Sequence, residues 1–105
     1  MLIYHIVLPA VWEQFKDKTS YEAESLAAEG FIHCSYENQL EAVLKRYYEN
    51  AGTVLILTIE TEKLTSELVE EASTNNEIYP HIYGKINKDA VRKAETRPVG
   101  SVFFT

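Results

Sequence analysis

Three histidines, His5, His33 and His81, each lie inside an apolar or aromatic stretch of a 105-residue chain. Burying an unbonded polar ring costs about 1–3 kcal/mol, so each imidazole needs a partner or an opening. His5 is the sharpest case. Within Ile3-Tyr4-His5-Ile6-Val7 it either bonds a backbone or hydroxyl group or faces a pocket. His33 stands two residues before Ser35, where a strand is expected to turn into a helix. That turn would bring the imidazole, the Ser35 hydroxyl and the N–H groups of residues 36 to 38 near one point, a geometry that suits phosphate or another small anion. The plainer reading of Ser35 is a helix cap. From Glu77 to Tyr83 a period of two sets Glu77, Tyr79, His81 and Tyr83 on one side, with Ile78 and Ile82 on the other. Such a strip can stack a planar ring and bond its ribose, or it can pack against a loop or a partner chain.

Other chemistries find less support. The histidines are 28 and 48 residues apart and match no zinc spacing, so no metal is expected. His33 and Cys34 are neighbours on a strand and point to opposite faces, which disfavours a cysteine–histidine nucleophilic pair between them. The sequence contains no Gly-x-Gly-x-x-Gly, no Gly-Lys-Ser phosphate loop and no Gly-x-Ser-x-Gly elbow.

The elements that must position these residues follow from periodicity. Ile3 to Leu8 is apolar on both faces and reads as a core strand, with Pro9 opening a helix that buries Val11, Trp12 and Phe15. Tyr21 to Glu29 fits a short strand or a helical turn. Phe31 to Cys34 is expected as a strand entered from Gly30, followed by a helix capped by Ser35 whose buried stripe is Leu40, Val43, Leu44 and Tyr47. Gly52 is expected to stop that helix. Thr53 to Glu60 is β-branched and nearly continuous in hydrophobicity, so it is expected as a central strand. Residues 61 to 76 are acidic and polar, and their end, Ser73 to Asn76, is expected as an exposed loop. Pro80 cannot donate to a ladder, which assigns residues 77 to 83 to a sheet edge or an extended loop. Asn87 is expected to cap a short helix through Ala90, Val91 and Ala94. A turn at Pro98 and Gly100 then leads to a last strand at Val102-Phe103-Phe104. The fold class expected is a single α+β domain, residues 1 to 105, with a split mixed or antiparallel sheet and a few short helices.

Three motifs, Ile3-Tyr4-His5-Ile6, Glu29-Gly30-Phe31-Ile32-His33-Cys34-Ser35 and Tyr79-Pro80-His81-Ile82-Tyr83-Gly84, resemble the signature of domain of unknown function 952, a bacterial family. Order and spacing agree over nearly the whole chain; Tyr79 replaces the more usual Phe and adds a hydroxyl. The resemblance implies a remote similarity to the ADP-ribosyltransferase fold, with a cleft for NAD as substrate. By that similarity His5 holds a ribose, Tyr79 or Tyr83 stacks nicotinamide, and Glu77 or His81 acts beside the ribose under attack. His5, His33, Ser35, His81 and Tyr83 are then expected to line one cleft. Catalysis there would be C–N glycosidic cleavage through an oxocarbenium-like ribose. The alternative is a non-catalytic module for a small anion or a nucleotide-type metabolite that also contacts a protein partner.

Composition sets the bounds. Ten Lys and Arg against sixteen Asp and Glu give a net charge of −6, with no basic stripe, so a nucleic-acid partner is not expected. The lone cysteine permits no internal disulfide, which suits a reducing, cytoplasmic setting. The apolar opening segment lacks the basic flank of a signal peptide and the length of a membrane span, and no membrane association is expected.

Overall fold

The computed structural model describes residues 1–100. Strand β1 (Leu2–Val7) leads into helix α1 (Pro9–Glu13), β2 (Ser20–Tyr21), α2 (Glu24–Glu29), β3 (Ile32–His33) and α3 (Leu40–Tyr47). Strands β4 (Thr53–Glu60), β5 (Glu67–Ala72), β6 (Ile78–Tyr83), β7 (Ile86–Asn87) and β8 (Val91–Pro98) follow. They form two three-stranded sheets, β1-β4-β8 and β3-β6-β5, and a β2-β7 pair. Every strand pairing among the described residues is antiparallel. The architecture is α+β with antiparallel sheets and short helices, and no helix of the described residues is long and apolar enough to cross a membrane.

Strand β4 is central because both of its faces are apolar. Val54 and Ile56 pack under α3 with Ile6, Leu40 and Leu44. Leu57 and Ile59 face the larger core, with Ile3, Val7, Ile32, Ile82 and Ile86. A strand buried on both sides needs this continuous hydrophobic run. Val11, Trp12 and Phe15 pack against the same core from α1 and the turn after it. The segment from Tyr21 to Glu29 holds both of its expected forms, a short strand and then a helix. Gly30, at φ 91°, ends that helix in the left-handed conformation that glycine adopts without penalty.

Several expectations are corrected. Ser35 does not cap a helix: it pairs with Tyr4, and the backbone turns one residue later, into a 3-10 turn at Glu37–Gln39 that precedes α3. The Gln39 side chain reaches back to accept from the Tyr36 N–H at 3.0 Å. Tyr47 leaves the buried stripe and is 59% exposed. The helix ends there, before Gly52. Residues 67–72 form strand β5, although the loop expected at Ser73 to Asn76 is present as an exposed 3-10 turn. Strand β6 is the centre of its sheet and not an edge. Cys34 donates its N–H to the Pro80 carbonyl at 3.1 Å, and the return bond, which proline cannot make, is where β3 stops. On the β5 side Pro80 faces Glu70 at a position where the ladder needs no N–H. Asn87 precedes only a 3-10 turn, Lys88–Ala90, and Val91 to Ala94 extend as strand β8 along β4. The expected strand at Val102-Phe103-Phe104 lies outside the described residues.

Candidate functional site

The seam between the two sheets opens into a cleft of about 650 Å³, a size typical of small-molecule sites. Its walls include Tyr4, His5, Tyr21, His33, Ser35 and Tyr79. Tyr47 and Tyr48 from the end of α3, and Glu24 and Glu29 from α2, complete its polar and aromatic character. Strand β1 carries the floor. Tyr4 and Ser35 exchange two backbone bonds, Tyr4 N–H to Ser35 O at 2.8 Å and Ser35 N–H to Tyr4 O at 2.7 Å, which pins the chain after β3 against β1. Ser35 therefore offers no free backbone donor to an anion, and the Tyr36 N–H is taken by Gln39.

His5 is fully committed. Its Nδ1 lies 2.7 Å from the His33 carbonyl and its Nε2 lies 3.0 Å from the Tyr21 hydroxyl. A carbonyl can only accept, so Nδ1 carries the proton and Nε2 accepts from Tyr21. Burial lowers the imidazole from 6.5 to about 4, keeping it neutral at pH 7. Burial also pushes the Tyr21 phenol above its ordinary range. Around Tyr21 stand His5, Trp12 and Phe15, with ring centroids at 5.4, 5.5 and 5.1 Å, so the phenol is held by packing as well as by its bond. Cys34 lines the cleft, but its thiol is buried and driven up by desolvation, which makes it a poor nucleophile.

His33 sits at the rim with its side chain 47% exposed, and its Nε2 donates to Glu29 at 3.1 Å. His81 is its cross-strand neighbour, with ring centroids 5.3 Å apart, yet it does not reach the cleft. Phe31 stacks on the His81 ring at 4.1 Å and 17°. The His81 Nδ1 donates to Glu71 at 2.7 Å, and its buried Nε2 has no partner among the described residues. Tyr83 donates to the same Glu71 oxygen at 2.5 Å, and these two bonds, Tyr83's first, hold the Glu71 carboxyl below its ordinary value. Glu77 lies outside the lining, accepting from Gln39 Nε2 at 2.9 Å and from the Tyr79 hydroxyl at 3.3 Å.

The structure thus brings together His5, His33, Ser35 and Tyr79, and leaves His81, Tyr83 and Glu77 outside the cleft. The alternation along β6 is real, but a shared strand face is not a shared hollow: His81 and Tyr83 pack with Phe31, and none of the three lines the cleft. Sequence reasoning missed Tyr21, Tyr47, Tyr48 and Glu29. The available signal was seven tyrosines in so short a chain, more than a small core needs. No group of three or more His, Cys, Asp or Glu among the described residues could hold a metal ion.

Comparison with known proteins agrees with the motifs. The crystal structure of protein CC0527 from Caulobacter crescentus superposes with a TM-score of 0.83 at 28% identity, and that of a double methionine mutant of CC0527 with 0.82 at 27%. Both cover 91% of this chain and 85% of that one. A solution NMR structure of CC0527 gives a TM-score of 0.77 at 28% identity, covering 90% and 82%. Among curated proteins none matches. Residues 6–94 match the family of proteins of unknown function termed DUF952, and the chain belongs to that family.

Proposed function

We propose that this protein is a binding module for a small planar, hydroxyl-bearing molecule without phosphate groups, of the nucleoside type. The observation that carries the reading is the neutral His5–Tyr21 pair beneath the tyrosine-lined cleft. Both imidazole nitrogens are already bonded, so His5 orients a phenol and is not free to move a proton. The lining offers tyrosine rings, hydroxyls and the carboxylates of Glu24 and Glu29, and among the described residues it includes no Lys or Arg. Stacking and hydroxyl bonding are provided for, whereas a pyrophosphate would meet the Glu24 and Glu29 carboxylates with only Arg46, set over the Tyr47 ring at 5.7 Å, to offset them from the margin.

The ADP-ribosyltransferase-like reading, with NAD as substrate, keeps one foothold. The His33–Glu29 pair is an exposed imidazole held by a carboxylate at the cleft rim, placed to act on a bound ribose. Titration calorimetry with adenosine, nicotinamide riboside, ADP-ribose and NAD separates the two. Nucleosides binding at least as tightly as their phosphorylated counterparts support the module. Heat from none of the four overturns it, and so does NAD or ADP-ribose binding tenfold more tightly, which returns the transferase reading to first place.

A further inference from the structure

We propose that β8 is the contact edge of a two-fold dimer, pairing antiparallel with β8 of a second copy about Ala94. No described strand pairs with the outer edge of β8, and residues 92 to 96 are exposed. The direction of its backbone groups follows from the register with β4. Val99 donates to the Gly52 carbonyl at 3.0 Å, continuing the series Thr53↔Pro98 to Leu57↔Ala94. Residues 99, 97 and 95 therefore bond inward to β4, while Pro98, Thr96 and Ala94 turn their backbone groups outward. Pro98 sits where its missing N–H costs no inward bond.

That parity and the charges select one register. With Ala94 opposite Ala94 of the second copy, the outward groups of both strands meet and form ladder bonds. Lys93 then stands directly opposite the second copy's Glu95, and Glu95 opposite its Lys93, at non-hydrogen-bonded positions where side chains approach closely. Centring on Thr96 instead would set Pro98 opposite Ala94 at a position that demands the donor proline lacks. Centring on Arg92 puts the extra residue of the bulge, where the β4–β8 register shifts between Thr58 and Ile59, on the two-fold axis itself, whereas the Ala94 register meets it only at the ends of the ladder, opposite Thr96. A shift by one residue opposes outward groups to inward ones and forms no ladder. Lys93 and Glu95 lie 3.1 Å apart on one face within the chain, so the dimer collects four alternating charges around its axis. A self-complementary patch of this kind is what an isologous two-fold contact requires.

Analytical ultracentrifugation of the full chain over a concentration series at low salt tests this. The expected result is a monomer–dimer equilibrium, weakened about tenfold or more in Lys93→Glu, where both cross-strand pairs become like-charged. The double variant Lys93→Glu with Glu95→Lys restores opposite charges and is expected to recover the dimer. Both positions are exposed, and unchanged thermal melts confirm that the variants fold. A chain that stays monomeric throughout, or a dimer indifferent to the charge reversal, overturns the proposal.

Discussion

Replacing His5 by Asn tests the physical basis of the cleft floor. The imidazole titrates near 6.5 in the unfolded chain and about 4 in the fold. At pH 7 it is neutral in both states and its full contribution is present. As pH falls below 6.5 the unfolded chain takes up a proton that the folded protein refuses, so stability falls until pH approaches 4. Each pH unit in that window removes about 1.4 kcal/mol, so between pH 7 and pH 5 the wild-type protein loses about 2 kcal/mol from this group alone. Asn retains a donor for the His33 carbonyl but leaves the Tyr21 hydroxyl without its acceptor, which costs about 1–3 kcal/mol at pH 7. Urea unfolding at pH 7, 6 and 5 measures both effects. The variant is expected to start lower and to decline less steeply, by about 2 kcal/mol over the same interval. Parallel pH dependences in the two proteins would refute the claim that burial holds His5 neutral.

Cys34 is expected to react slowly with a thiol reagent in the native protein and rapidly in urea, since burial both covers the thiol and disfavours its thiolate; absorbance during labelling with a chromogenic disulfide checks this. Gly84→Ala is expected to destabilise the fold by about 1–3 kcal/mol, because a Cβ there meets the Ser66 hydroxyl and lies 2.8 Å from the Ser66 Cβ. Trimming the obstruction with Ser66→Gly in the same chain is expected to recover part of the loss in a thermal melt.

The elements legible in the sequence are those whose signal is local. Strands β1 and β4 announce themselves as unbroken apolar runs, and Leu40 and Leu44 lie buried at helical spacing. Strand β5 was hidden because Glu67, Glu70 and Glu71 dominate it. Its charges are met from far along the chain: Tyr36 donates to Glu70, and His81 and Tyr83 donate to Glu71. Pro80 misled for a related reason, since proline is compatible with a central strand wherever one neighbour ends, and nothing near Pro80 says that β3 is two residues long. At the cleft, the need of His5 for partners was legible, but their identity was not, because Tyr21 and the His33 carbonyl lie 16 and 28 residues away. Val91 and Ala94 resembled a helical face only until β4 supplied an open flank for them to follow.

The Tyr4–Ser35 exchange has a consequence for how the molecule breathes. It is the isolated bridge by which β1 meets the chain leaving β3, so two backbone hydrogen bonds clasp one sheet to the other beside the hollow. A guest wedged between the layers loads that clasp directly. Its two amide protons form a built-in gauge: their exchange with deuterated solvent reports whether a bound molecule tightens the joint or pries it apart.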